Sequence, residues 1–280
     1  MKADDIKITP KWSKSKEDIW DSVFEGLEET PKVIEMAPRK RSLWFYAAAS
    51  IAAIAIILPS IAFFYTKNEV AERGTHLAVV LPDGSKVDLN AESKISYKPL
   101  WWFISRDVEL KGEAYFEVEK GSTFDVRSGQ YTVSVLGTSF NVSAYVSEQA
   151  VRTTLVSGKV RVGDRLTGKG EVILPGQQAE WKDGAFKTKE VDTSIYTAWI
   201  DGKFYFEGAT LEEITVQLER WYDIDFFFTS EKVKRFAFAG VINKEYSANK
   251  IFSIIEKTTR VRFSVNGRVV TVSEVNNKQE

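Results

Sequence analysis

Hydrophobic and polar positions follow four different rules along this chain. In the stretch SKSKEDIWDSVFEGLEETP, which starts at Ser13, Ile19, Trp20, Val23, Phe24 and Leu27 recur at spacings of three and four, the period of one helical face. Ser15 is placed to cap that helix with Asp18 as its reciprocal partner, Glu17 and Asp18 suit the first turn, and Gly26 and Pro31 weaken and end it. From Leu43 to Tyr65 no charged residue occurs, and the polar side chains are those of Ser50, Ser60, Tyr46 and Tyr65. Such a segment predicts a helix of about 35 Å, enough for a hydrocarbon core of about 30 Å. It lacks the polar face that a core helix of this length normally carries.

From Leu77 to Trp181 the period changes to two. Short alternating segments are separated by glycine, with Pro82, Asp83 and Gly84 supplying the first turn. That pattern predicts an all-β domain, sandwich-like or solenoid-like. Glu109, Glu113, Glu117 and Glu119 alternate with apolar neighbours and read as a solvated strand face rather than as a hydrolytic carboxylate pair. After Val191 the periods mix. Thr210 and Glu213 form a capping box ahead of a helix whose stripe is Leu211, Ile214, Leu218 and Trp221. Phe204, Phe206 and Gly208 are echoed by Phe236, Phe238 and Gly240, a second helix brings Ile251, Ile254 and Ile255 inward, and an Asn266-Gly267 turn closes a hairpin. Two similar βαβ-like units thus predict a small α/β domain.

The flanks of the apolar run orient it. Arg39, Lys40 and Arg41 precede it, whereas Lys67 is diluted by Glu69 and Glu72, so the positive-inside rule puts the N-terminus in the cytoplasm. The expected organisation is a single-pass membrane protein with a cytoplasmic segment at 1–42 and a transmembrane helix at 43–65. A β domain at 66–192 and an α/β domain at 193–280 follow on the far side. In the cytoplasmic segment, an amphipathic helix lying on the membrane and a helix docked in a partner's groove both suit the stripe. Its acidic residues speak against an anionic leaflet, and Trp20 and Phe24 suit anchoring in a protein groove. A net charge of −1 shows no nucleic-acid footprint, and the absence of cysteine excludes disulfides and thiolate metal sites. The single histidine, His76, has no sequence companion for metal or triad chemistry.

The motifs VVLPDGSKVDLNAESKISY, RDVELKGEAYFEVEKG, FDVRSGQYTVSVLGTSFNVSAY and TTLVSGKVRV, in that order, resemble the periplasmic domain of FecR-type anti-sigma factors. The C-terminal part resembles that of FecR-like proteins, itself similar to secretin and TonB N-terminal domains. This resemblance implies an inner-membrane regulator with no cofactor, no metal and no enzymatic activity. It implies that the helix around Trp20 engages an extracytoplasmic-function (ECF) sigma factor, with repression and activation both open. It further implies that the C-terminal domain receives the N-terminal signalling domain of an outer-membrane TonB-dependent transporter, and that regulatory proteases release the cytoplasmic piece. Pro59, which removes a helical hydrogen bond to Ala55, offers a weak point in the span. Gly137-Thr138 matches a step at which some members cleave themselves. The triplet Trp101-Trp102-Phe103 departs from the pattern: core, membrane-facing surface and contact patch are all compatible with it. As a sugar platform, Trp101 and Trp102 would instead suit a membrane-tethered carbohydrate or cell-wall binding module.

Overall fold

A computed structural model describes residues 13–26 and 43–275. The chain divides into two compact units, Met1–Ile54 and Ala55–Glu280. In the first, α1 (Lys16–Phe24) begins with the capping box its sequence encodes. Ser15 Oγ accepts from the Asp18 amide at 3.0 Å, and the Asp18 carboxylate accepts from the Ser15 amide at 3.1 Å. Leu27 lies outside the described residues. The apolar run is the helix α2 (Leu43–Phe64), long and apolar enough to cross a membrane, with a mean hydropathy of 2.3 over its richest window. Its two serines donate to carbonyls one turn back, Ser50 to Tyr46 at 2.8 Å and Ser60 to Ile56 at 2.7 Å. Both hydroxyls are thereby satisfied without water.

The alternating region folds into thirteen strands. They are β1 (Lys67–Ala71), β2 (Leu77–Val80), β3 (Lys86–Leu89), β4 (Ser93–Tyr97), β5 (Arg106–Glu117), β6 (Phe124–Ser128) and β7 (Tyr131–Val135). There follow β8 (Ser139–Ala144), β9 (Val151–Ser157), β10 (Val160–Asp164), β11 (Gly170–Ile173), β12 (Gln177–Lys182) and β13 (Ala185–Glu190). One layer runs β1-β4-β5-β6-β7-β10-β11 and the other β2-β3-β5-β8-β9-β12-β13. All pairs are antiparallel except β5 with β6.

Strand β5 belongs to both layers. Its first half pairs with β4 and β6 and its second with β3 and β8. The change of partners falls at Gly112, where φ is +94° and an added Cβ would lie 2.7 Å from Ser93 Cα. Only glycine suits that crossing. Inward-facing residues of both layers fill the space between them, with Phe116 stacked on Phe140 at 5.1 Å and Phe124 edge-on to Phe116. The domain is therefore a two-layer sandwich, not a solenoid. The alternation did not single out β1 or β13, because β13 is largely solvent-exposed and carries no apolar face.

A short helix α3 (Thr193–Thr197) and a 3-10 turn at Ala198–Asp201 lead to the last domain. It comprises β14 (Lys203–Thr210), α4 (Leu211–Tyr222), β15 (Asp225–Phe228), α5 (Glu231–Lys234), β16 (Ala237–Asn243), α6 (Ala248–Thr258), β17 (Val261–Asn266) and β18 (Val269–Glu274). The expected capping box is present, with Glu213 Oε2 accepting from the Thr210 amide at 2.8 Å. The two halves, however, are not separate βαβ units. Strand β14 pairs with β16, and β15 lies parallel to β18 in a three-stranded sheet with β17. The repeated Phe-x-Phe-x-Gly strands run antiparallel to each other, so that Phe206 and Phe238 bury into one core with α4 and α6. Interlocking covers both helices' apolar stripes at once, which neither half could achieve alone.

Candidate functional site

Three sequence-predicted sites lie on different elements of the chain. On α1, the Trp20 and Phe24 rings lie 4.5 Å apart, tilted by 43°, and are 57% and 44% exposed, Val23 is exposed, and Ile19 is half-buried. Among the described residues nothing covers this stripe. Pro59 sits inside α2 as expected. Gly137 has φ +151°, and a Cβ there would come within 2.6 Å of Lys120 Cγ. The neighbouring Thr138 is buried, and its hydroxyl donates to the Lys159 carbonyl at 3.2 Å.

A fourth site joins the sandwich to the last domain, and sequence reasoning did not find it. Glu113, expected on a solvated face with Glu109, Glu117 and Glu119, is the exception among them. Its alternation is right, since it points out of its layer, but that outer face is covered by Trp199 and Trp221, which form a small core with Ala91. One carboxylate oxygen of Glu113 accepts from Asn90 Nδ2 and the other from Asn141 Nδ2, both at 2.8 Å. Asn90 Oδ1 accepts from the Trp221 indole at 3.0 Å, and Asn141 Oδ1 accepts from the Trp199 indole at 3.1 Å.

The order of donors in this chain is forced. An indole N–H can only donate, so both asparagine carbonyls must face the tryptophans and both NH₂ groups must face Glu113. Glu113 is therefore required to accept on both oxygens. Burial works the other way: it pushes the carboxyl up to about 7, against the lowering effect of the hydrogen bonds from Asn141 and Asn90. Between them these effects leave a carboxylate that titrates near neutrality.

Two arginines fasten the same junction. Buried Arg220 lies over the Tyr145 ring at 3.4 Å and donates to Glu148 at 2.9 Å and Ser147 at 2.8 Å. Arg73, just past β1, donates to the Glu219 carbonyl at 3.0 Å, to the Ile224 carbonyl, and to Asp225 at 2.9 Å. A cation is thus set against the carbonyl end of α4, where the helix dipole favours it. His76, without a sequence companion, rests edge-on against Trp199 at 5.5 Å and lies 3.6 Å from Asp88, and its pKa is lowered chiefly by burial. Beside the network opens a cleft of about 1120 Å³ whose lining includes Glu113, Tyr145, Arg152 and Arg220. Asparagine inside a strand or at its end is uncommon, and Asn90 and Asn141 were the available signal.

The triplet at 101–103 is divided among different surroundings. Trp102 is 6% exposed and packs edge-on to Tyr97 and Phe124, whereas Trp101 lies edge-on to Phe63 at the end of α2. Neither forms an open sugar platform.

Comparison with protein families matches residues 68–161 to the FecR protein family and residues 203–272 to the FecR C-terminal family. The chain belongs to the FecR family. In FecR terms, Asn90, Glu113 and Asn141 come from the first matched domain and Trp221 from the second, while Trp199 comes from the segment between them. Two crystal structures of a protein from Parabacteroides distasonis, provisionally named an anti-sigma factor, resemble this FecR chain with a TM-score of 0.68 and 28% identity. The similarity covers 75% and 76% of this chain and the whole of each of theirs. No curated protein sequence matches.

Proposed function

We propose that this FecR-family chain is a transmembrane anti-sigma factor that relays a signal from an outer-membrane TonB-dependent transporter to a cytoplasmic ECF sigma factor. The observation that carries the reading is the union of both FecR domains with a preceding apolar helix and, before that, a helix whose aromatic stripe is uncovered. Family membership and the provisional name of the Parabacteroides distasonis protein support the same class. On this reading α2 spans the inner membrane with its N-terminus in the cytoplasm, and Ile19, Trp20, Val23, Phe24 and Leu27 form the sigma-factor contact. The C-terminal domain then meets the transporter's signalling domain in the periplasm. The outer edges of β14, β16, β15 and β17 are free for strand addition among the described residues, and Tyr205 and Val241, paired across β14 and β16, expose apolar surface beside two of them.

Release by regulatory proteases belongs to the same reading. Pro59 leaves the Ala55 carbonyl without its helical donor, a local weakness suited to cleavage within the bilayer. Gly137-Thr138 is its candidate self-cleavage step. Once freed from the Lys159 carbonyl, Thr138 Oγ would attack the Gly137 carbonyl. The Gly137–Thr138 C–N bond would break with the hydroxyl proton passing to the Thr138 nitrogen, and water would hydrolyse the resulting ester.

Co-purification of the full-length chain with the sigma factor encoded beside its gene tests the proposal. Wild type is expected to retain the sigma factor, and Trp20→Ala/Phe24→Ala to lose at least about tenfold of that affinity, as truncation of two anchor residues should. Equal retention by both would remove α1 as the contact. Failure of a stable wild-type chain to retain any sigma factor would remove the function.

A further inference from the structure

We infer that the loop Lys98–Ile104 is a membrane-interface anchor that seats the sandwich domain on the outer face of the bilayer crossed by α2. The inference rests on the proposed span and adds a lipid-binding site to it.

Chain geometry places the loop there. Only two residues separate the end of α2 at Phe64 from the start of β1 at Lys67, so β1 leaves the membrane surface directly. Strand β4 runs antiparallel to β1 with Tyr97 opposite Lys67, which brings the residues after Tyr97 back to that surface. Side chains agree with the backbone. Trp101 packs edge-on against Phe63 with ring centroids 5.5 Å apart, and Lys98 Nζ sits 3.7 Å from the centre of the same ring. The loop is therefore held at the depth of the last turn of α2, where aromatic residues mark the boundary between hydrocarbon and headgroups.

What the loop presents there is unlike the rest of a soluble strand connection. Leu100, Phe103 and Ile104 are 50%, 83% and 56% exposed, an apolar tip on a soluble face unless it enters lipid. Trp102 points the opposite way and locks the loop to the sandwich core through Tyr97 and Phe124, so the tip is carried on a rigid base. A tryptophan at the boundary, a lysine beside it and aliphatic and phenyl groups beyond are the composition of an interfacial insertion. The partner is the headgroup and upper acyl region of the bilayer, and the consequence is that the sandwich is held against the membrane instead of swinging on a single helix.

The absence of cysteine from the chain makes the test direct. Single replacements Phe103→Cys, Ile57→Cys and Leu166→Cys would each carry one nitroxide label, in the full-length protein reconstituted in phospholipid nanodiscs. Leu166 lies in the β10–β11 turn, at the end of the layer remote from the loop, since Arg106 pairs with Phe124 and Tyr131 with Asp164. Expected is a lipid-like signature at 103 and 57, with strong relaxation by oxygen and several-fold weaker relaxation by a water-soluble nickel chelate than at 166. A water-like label at 103 with a lipid-like one at 57 overturns the anchor while leaving the span. Water-like labels at both positions overturn the span and the anchor with it.

Discussion

Glu113 shows how much one residue's surroundings can change its chemistry. Glu109, Glu117 and Glu119 share its strand or lie just past it and remain exposed, whereas Glu113 is closed in by Asn90, Asn141 and the two indoles behind them. Burial raises its folded-state pKa from the ordinary 4.5 to about 7. The folded protein therefore binds this proton more tightly than the unfolded chain. The resulting stabilisation is complete below about pH 4.5 and is lost as pH rises through about 7. A shift of this size corresponds to about 3 kcal/mol. Unfolding of wild type and Glu113→Gln, followed from pH 5 to pH 8, should show wild type losing stability across that range relative to the variant. Glu113→Gln also sets one amide NH₂ against an asparagine NH₂, so it should be the less stable protein at pH 5. Parallel curves would mean that Glu113 does not titrate in this window.

Among the elements, β5 carries the largest structural burden. Twelve residues serve two layers, and the strand can leave one for the other only because Gly112 adopts φ +94° with no side chain beside Ser93. Gly112→Ala adds a left-handed alanine and a contact of 2.7 Å with Ser93 Cα. It is expected to cost at least about 2 kcal/mol, read as a fall in the denaturant midpoint. Gly129→Ala makes a useful comparison: it has a positive φ but nothing within 4 Å of its added Cβ, so it should cost only the backbone strain. At this scale α2 and α1 are complementary cases. The first satisfies its own serines and is apolar along its length, and the second satisfies its own cap but leaves Trp20 and Phe24 exposed.

On the scale of the whole molecule, the two FecR domains are joined through polar groups that pair with each other across the junction. Separating them would take the Trp221 indole from Asn90 and Arg220 from Glu148 and exchange those bonds for water. Such a junction holds one arrangement of the two domains, which suits the relay proposed above. Trp221→Ala removes one indole from the small junction core while leaving the last domain's own core residues in place. The expected cost is about 3–5 kcal/mol. Hydrogen exchange should accelerate through 193–202 while α6 keeps its protection. Loss of protection in α6 as well would show that the domain does not fold independently of the junction.

What the sequence determined by itself is what neighbouring residues decide among themselves. The cap of α1 by Ser15 and Asp18, the cap of α4 by Thr210 and Glu213, the apolar length of α2, the turn at Gly84 and the alternation of the strands all depend on groups within a few positions of one another. Two homologous-looking Phe-x-Phe-x-Gly strands were visible, but not that they pair with each other, because register between distant strands is set by which faces can be buried together. Nor did alternation reveal that the outward face holding Glu113 would be covered, or that Trp101 and Trp102 would face different surroundings. The hydrogen bond from Trp221 to Asn90 spans 131 residues of sequence, and only the closed fold brings such groups within reach and removes the water that would otherwise serve them.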